Sequence, residues 1–302
     1  MNVRTAQTRR SFLGTAVATV AGAAFAPHAA FGDRFVNAVA PYEVDIGVCT
    51  SVANAALLRE AGAAYIEEGV RGLLIPDRPD EEFAEKLKAA EQCGLPVRAA
   101  NGFLPGSLKC VGPEANHEAV LAFAETAFRR AALVGIRHIV FGSSGARSIP
   151  DGFDRRQAEL QFVALLGKMA MLARPHNVVI VIEPLNRRET NFINSVEEGA
   201  MLARAVQHPN VMLLADIYHM LCENEPAENI RAAGDLIRHL HIAEKEGRRA
   251  PGVGGEDFTP YFQALHDIGY KGGISIECRW SEMAEELPKA VKTMREQMGK
   301  VR

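Results

Sequence analysis

Between Val44 and Met298 the chain reads as eight apolar runs, each followed by a stretch with helical spacing. The runs are VDIGVC (44–49), AYIEEGV (64–70), PVRAANGF (96–103), HIVFGSS (138–144), VVIVIEP (178–184), VMLLADIY (211–218), IRHLHIA (237–243) and GGISIEC (272–278). Most are rich in Val, Ile and Leu, as suits parallel strands covered on both faces. The helical stretches are Ala53–Glu60, Asp80–Cys93, Glu114–Val134, Arg155–Ala173, Ser195–Val206, Pro226–Gly234, Thr259–Ile268 and Ser281–Met298. Ser195 with Glu198 predicts a capping box. Thr259 before Pro260 predicts an N-cap with proline at the first helical position. Gly94, Gly135 and Gly269 stand where helices must stop. Repeated strand–helix units imply right-handed crossovers, and eight of them close most naturally into a (β/α)8 barrel of α/β class. A doubly wound open sheet is the alternative, but no GxGxxG follows the first run. With 302 residues, 48% of them apolar, the chain has enough material for one such domain.

Four consecutive runs end in a metal-type ligand: Glu183, Asp216, His241 and Glu277. A buried carboxylate or imidazole loses its hydration, at a cost of several kcal/mol unless something pairs with it. In a barrel the four strand ends converge on one mouth, where a shared divalent cation would compensate them together. Three carboxylates and one imidazole favour Mn2+, with Mg2+ or Co2+ next, over a structural zinc site. His219, Glu189, the Arg187–Arg188 pair and Arg248 follow closely in sequence. The GSSG turn with Arg147 is a candidate phosphate cradle, with a plain flexible loop as the alternative.

The first residues differ in kind. Arg9 and Arg10 precede Ser11, Phe12 and Leu13, and then a small-residue apolar run reaches Ala24. This pattern predicts a twin-arginine-type export signal over residues 1–32, cleaved near Ala30, with the barrel over 33–302. It implies a periplasmic or secreted protein, and the apolar run is too short to favour a stable membrane span. A net charge of -3 without a basic stripe argues against nucleic acid as a partner. The five cysteines show no CxxC pair and read as ordinary buried thiols. Homodimer and homotetramer both stay open.

The strings IEPLNRRE, NFINS, ADIYHM, HLHIAE, RRAPGVG, LHDIGYKG and ISIE resemble the xylose-isomerase-like barrel enzymes. Within these they are most similar to ketose 3-epimerases, such as those acting on D-tagatose and D-psicose, and to hydroxypyruvate isomerase. The likeness is good over residues 178–280 and a matter of pattern before that. It implies a metal-dependent sugar isomerase or epimerase acting on a small-molecule ketose, by proton transfer through a cis-ene-diolate. Glu183 and Glu277 would then bind metal and exchange the proton. Asp216 and His241 would complete the ligand set, and His219, Arg248 and Glu189 would contact the sugar. A lyase or dehydratase acting on an inosose or a 3-keto-glycoside would use the same site. The chain departs from the epimerases where their fourth strand leads into a loop with aromatic residues that pack on the sugar: here it reads VFGSSGARSIP, the third strand leads to NGFLPGSLKC, and the last strand continues ECRW.

Overall fold

All eight expected strands form in the computed structural model, which describes residues 42–302. The expected export signal and its expected cleavage point lie outside the described residues. The strands are β1 (Asp45–Cys49), β2 (Tyr65–Gly69), β3 (Val97–Asn101), β4 (His138–Phe141), β5 (Val179–Ile182), β6 (Val211–Asp216), β7 (Ile237–Ile242) and β8 (Gly273–Ile276). They pair in parallel in chain order, and β8 returns to β1 through Ile46↔Ile274 and Val48↔Ile276 to close the barrel. Among the described residues ten α-helices accompany it: α1 (Ala55–Glu60), α2 (Asp80–Gln92), α3 (His117–Val134), α4 (Ser144–Arg147), α5 (Arg155–Ala173), α6 (Val196–Val206), α7 (Ile217–Glu223), α8 (Glu228–Ala233), α9 (Thr259–Asp267) and α10 (Met283–Met298).

Strand residues that point outward join the helices in one apolar core. In its α3–α5 sector Phe103, Phe128, Phe141, Phe162 and Phe192 are buried, with ring centroids 5.2–5.8 Å apart along the series. Residues that alternate with these point inward and divide in two. Val140, Val181 and Leu214 make a small apolar cluster on β4–β6. The β1–β2–β7–β8 side is instead polar, with Tyr65, Glu67, His239, His241 and Ser275 all buried. Tyr65 fits because Gly47 and Gly273 flank it; a Cβ at either would lie within 2.6 Å of the ring. The barrel interior is thus packed on one side by hydrocarbon and on the other by hydrogen-bonded groups.

Helix ends follow the residues. Asn116 and Asp154 accept from the N–H groups of Ala119 and Gln157. Ser195 accepts from the Glu198 N–H at 3.1 Å, but the Glu198 carboxylate reaches back to Asn194, one residue before the cap. Ser195→Ala is expected to lower stability by about 1 kcal/mol, read as a shifted urea midpoint at constant m. Gly94, Gly135 and Gly269 stop their helices at φ 81°, 93° and 67°. Two expectations are corrected. Phe258 is the cap of α9, so Thr259 is its first residue and Pro260 its second, with the Asp257 carboxylate accepting from the Thr259 N–H. The sixth run stops being a strand at Asp216, because that side chain caps a helix that begins at the next residue. Among the described residues no helix is long and apolar enough to cross a membrane.

Candidate metal centre and substrate cavity

Every ligand candidate stands at or just beyond a strand's C-terminal end, where inward alternation meets the barrel mouth. Glu183 follows β5, Asp216 ends β6, His241 is the penultimate residue of β7 and Glu277 follows β8. Each of the four offers one ligand atom, and these atoms all lie within 4.8 Å of one another. His241 Nδ1 is at the centre, 2.9 Å from Glu183 Oε1, 3.3 Å from Glu277 Oε2 and 3.9 Å from Asp216 Oδ2. Glu183, Asp216 and His241 are buried, and Glu277 is half-buried. Asp216 divides its work. Oδ1 accepts from the Tyr218 and His219 N–H groups, whereas Oδ2 is buried without a hydrogen-bond partner. An orphaned carboxylate oxygen beside two further acids and an imidazole is a donor set that fits a divalent cation.

The surrounding charges separate the two glutamates. Burial pushes Glu183 above the usual carboxylate range. Burial also raises Glu277, but His241 and the Arg248 guanidinium outweigh it and hold that carboxyl well below the range. Burial lowers His241, yet Glu67 and Glu277 reverse this and leave it well above an ordinary imidazole. Gly142 is needed for the packing, since a Cβ there would stand 2.1 Å from Glu183 Oε2.

A cavity of about 280 Å³ opens above the cluster, lined by Glu183, Glu277, Glu189, His219 and Arg248, among others. Arg248 is not a solvated loop charge. It pairs with the Glu277 carboxylate, lies 3.5 Å from Asp216 Oδ2 and 3.8 Å from Glu189 Oε1, and stacks 4.6 Å over the Tyr218 ring. Its loop is tied down by buried Glu244, which accepts from the N–H groups of Gly252, Gly254 and Gly255, and by the Arg279 N–H donating to the Arg248 carbonyl. His219 Nδ1 accepts the Asn186 backbone N–H at 3.1 Å, so Nε2 carries the hydrogen. That Nε2 has no hydrogen-bond partner, and the residue lines the cavity. Glu189 Oε1 accepts from the Asn186 amide at 3.0 Å. The structure therefore brings together the seven residues to which the resemblance gives a role, whereas Arg187 pairs with Glu223 and neither it nor Arg188 lines the cavity.

Arg147 is corrected. It is fully buried, donates Nη1 to the Phe141 carbonyl at 3.1 Å, and does not line the cavity. Burial lowers its guanidinium to about 10. The GSSG segment lines the cavity through Gly142–Gly145 and turns into the short α4. The cation on that side is Arg71, from the turn after β2. The cysteines are thiols, but among them only Cys110 is buried; Cys49 sits 3.9 Å from His241 Nε2. Apolar lining comes from Leu104 and Leu185, whereas Phe103, next to Leu104, turns into the core. Sequence reasoning passed over Asn101, which donates to Glu277 Oε1 at 2.9 Å, and Glu67 and Glu244. The alternation Tyr65–Glu67–Gly69 was the available sign that Glu67 points inward.

Residues 55–298 match the model of the xylose isomerase-like TIM barrel family. The chain belongs to that family. It is 36% identical over 140 residues to L-ribulose 3-epimerase of Methylomonas sp., covering 46% of this chain and 48% of that one. Similarity to a putative hydroxypyruvate isomerase of Mus musculus is 34% over 143 residues, covering 44% and 52%. D-psicose 3-epimerase of Agrobacterium fabrum is 29% identical over 209 residues, covering 67% and 71%. The chain thus spans about half the length of the first two relatives. Among solved structures, D-allulose 3-epimerase of Methylomonas sp. superposes with a TM-score of 0.73 at 25% identity, over 85% of this chain and 99% of that one.

Proposed function

We propose that this protein is a divalent-metal-dependent isomerase of keto-sugars, of the ketose 3-epimerase kind. The observation that carries the reading is that Glu183 and Glu277 both line the cavity and both belong to the four-residue cluster beneath it. A divalent cation held by Glu183, Asp216, His241 and Glu277, Mn2+ by preference, supplies Lewis acidity beside a substrate carbonyl.

The chain's own groups do the rest. β5 and β8 stand three places apart in a ring of eight, so the two glutamates approach the cavity from different sides. One, ionised, takes and keeps the proton from the carbon next to the carbonyl, and the other, protonated, gives its own solvent-exchangeable proton to the opposite face, inverting that centre. In the reverse direction the roles exchange. His219 Nε2–H donates to a sugar oxygen, Arg248 holds a second oxygen and pairs with Glu277 when that carboxylate is ionised, and Glu189 accepts from a hydroxyl at the sugar's far end. The relatives named above are epimerases and an isomerase, which supports proton transfer on an intact sugar over elimination. A second reading is supported by Arg71 in the cavity lining, a cation suited to the carboxylate of a small keto acid such as hydroxypyruvate.

The test is incubation with ketopentoses, ketohexoses, 3-keto-glycosides and hydroxypyruvate in D2O. An inverted sugar carrying deuterium at the inverted carbon is the expected result. Exchange is expected to stop after dialysis against a chelator and to return with Mn2+. Loss of a hydroxyl or an aglycone would make the protein a lyase instead, and no exchange on any substrate at saturating Mn2+ would end the reading.

A further inference from the structure

Beneath the mouth of the barrel lies a second layer of polar groups that the proposed chemistry does not use. Glu67 is fully buried in the barrel interior, an expensive place for a carboxylate. It is spanned by two imidazoles. Oε1 lies 2.8 Å from His241 Nε2, and Oε2 lies 2.6 Å from His239 Nε2. His239 is itself fixed, with Nε2 3.3 Å from Ser275 Oγ and its ring stacked 5.5 Å from that of His138. Ser275 Oγ is 2.9 Å from the hydroxyl of Tyr65, the ring seated between Gly47 and Gly273.

We propose that Glu67 is a positioning residue that fixes which nitrogen of His241 faces the metal. The inference rests on the reading that Glu183, Asp216, His241 and Glu277 hold a divalent cation. A carboxylate between two imidazole nitrogens accepts from both, so His241 Nε2 carries a hydrogen. Nδ1 is then the ring nitrogen with a lone pair to give, and Nδ1 is the one among the three carboxylates. A histidine that binds a metal through one nitrogen and donates the other to a carboxylate has a fixed ring orientation and tautomer, and is a stronger ligand for it. The His239–Ser275–Tyr65 series holds the carboxylate in turn, so the rear of the barrel sets the orientation of a ligand at its mouth.

Cys49, Glu67 and His241 form a rival arrangement, three ligand atoms that would hold a metal of their own through Nε2. Stoichiometry separates the two. Metal-stripped full-length protein is titrated with Mn2+, and free ion is followed by electron paramagnetic resonance. One equivalent is expected in the wild type. Glu67→Gln, which keeps an acceptor oxygen in place, is expected to weaken binding by about 10–100-fold, and Glu67→Leu by more. Cys49→Ala is expected to leave both affinity and stoichiometry unchanged. Metal-free melting temperatures show whether a variant has lost its fold or its ligand geometry.

Imidazole-15N NMR of the wild type loaded with diamagnetic Mg2+ gives a readout that needs no variant, with His241 protonated on Nε2 as the expected result. Wild-type affinity in a folded Glu67→Gln protein, or a hydrogen on Nδ1 in the NMR experiment, overturns the role of Glu67 while the metal site stands. A second equivalent that vanishes in Cys49→Ala makes Glu67 a ligand instead. No Mn2+ binding by the wild type removes the site itself, and the inference with it.

Discussion

Glu183→Gln and Glu277→Gln are each expected to slow solvent-deuterium exchange into a ketose by about 10²–10⁴-fold at saturating Mn2+, the usual contribution of a positioned acid or base. Glutamine keeps the volume and one acceptor oxygen, so the cavity stays intact while the titrating group is gone. Both residues are also ligand candidates, so Mn2+ affinity is measured alongside and the rates are compared at full occupancy. The effects are expected to differ in kind. Glu277→Gln removes the charge that Arg248 pairs with and frees that guanidinium toward Glu189 and Asp216, so substrate binding should change together with turnover. Glu183→Gln leaves Arg248 paired and should act mainly on turnover. If either variant keeps exchange within about threefold of wild type at full metal occupancy, that glutamate is not a proton carrier.

The second large effect concerns stability and separates two candidate ligands of the proposed cation. His241→Ala is expected to cost about 3–5 kcal/mol in the metal-free protein, because it removes one partner of a buried ion pair and leaves charge uncompensated. Glu67 would keep only His239, and the three carboxylates at the mouth would lose the imidazolium at their centre. Asp216→Asn is the contrast. Its Oδ1 still caps α7 at the Tyr218 N–H, 2.8 Å away, and one negative charge leaves a crowded cluster. Metal-free stability should then stay within about 0.5 kcal/mol of wild type or rise. Wild type at a hundredfold excess of Mn2+ over its Kd should gain about 2.7 kcal/mol. Both variants should lose most of that gain. Urea unfolding with and without Mn2+ measures all of these, and equal metal-induced stabilisation of wild type and Asp216→Asn would remove Asp216 from the ligand set.

Most of the eight strands were legible because parallel strands buried on both faces must be nearly continuous hydrocarbon, and AYIEEGV and PVRAANGF were legible from the strand–helix alternation around them. The barrel mouth was legible for the same reason. A carboxylate that ends such a run, as Glu183 and Asp216 do, has to face either the core or a site. Arg147 was misread because GSSGAR carries the composition of an exposed anion cradle, whereas the short α4 turns the guanidinium back under Phe141. Tyr218 was misread because Asp216 ends a strand and caps a helix with one side chain, so no turn residues separate the two elements.

What the chain determined by itself was the order of its elements and the identity of the groups at the barrel mouth, since period and residue type are local properties. Contact across the barrel is not local. Glu67 and His241 are 174 positions apart, and nothing in AYIEEGV names a histidine as the partner of that glutamate. Which carboxylate lies beneath the cluster and which imidazole nitrogen it holds depended on closing β8 onto β1, because closure alone brings inward-facing residues of β2 and β7 within hydrogen-bond range.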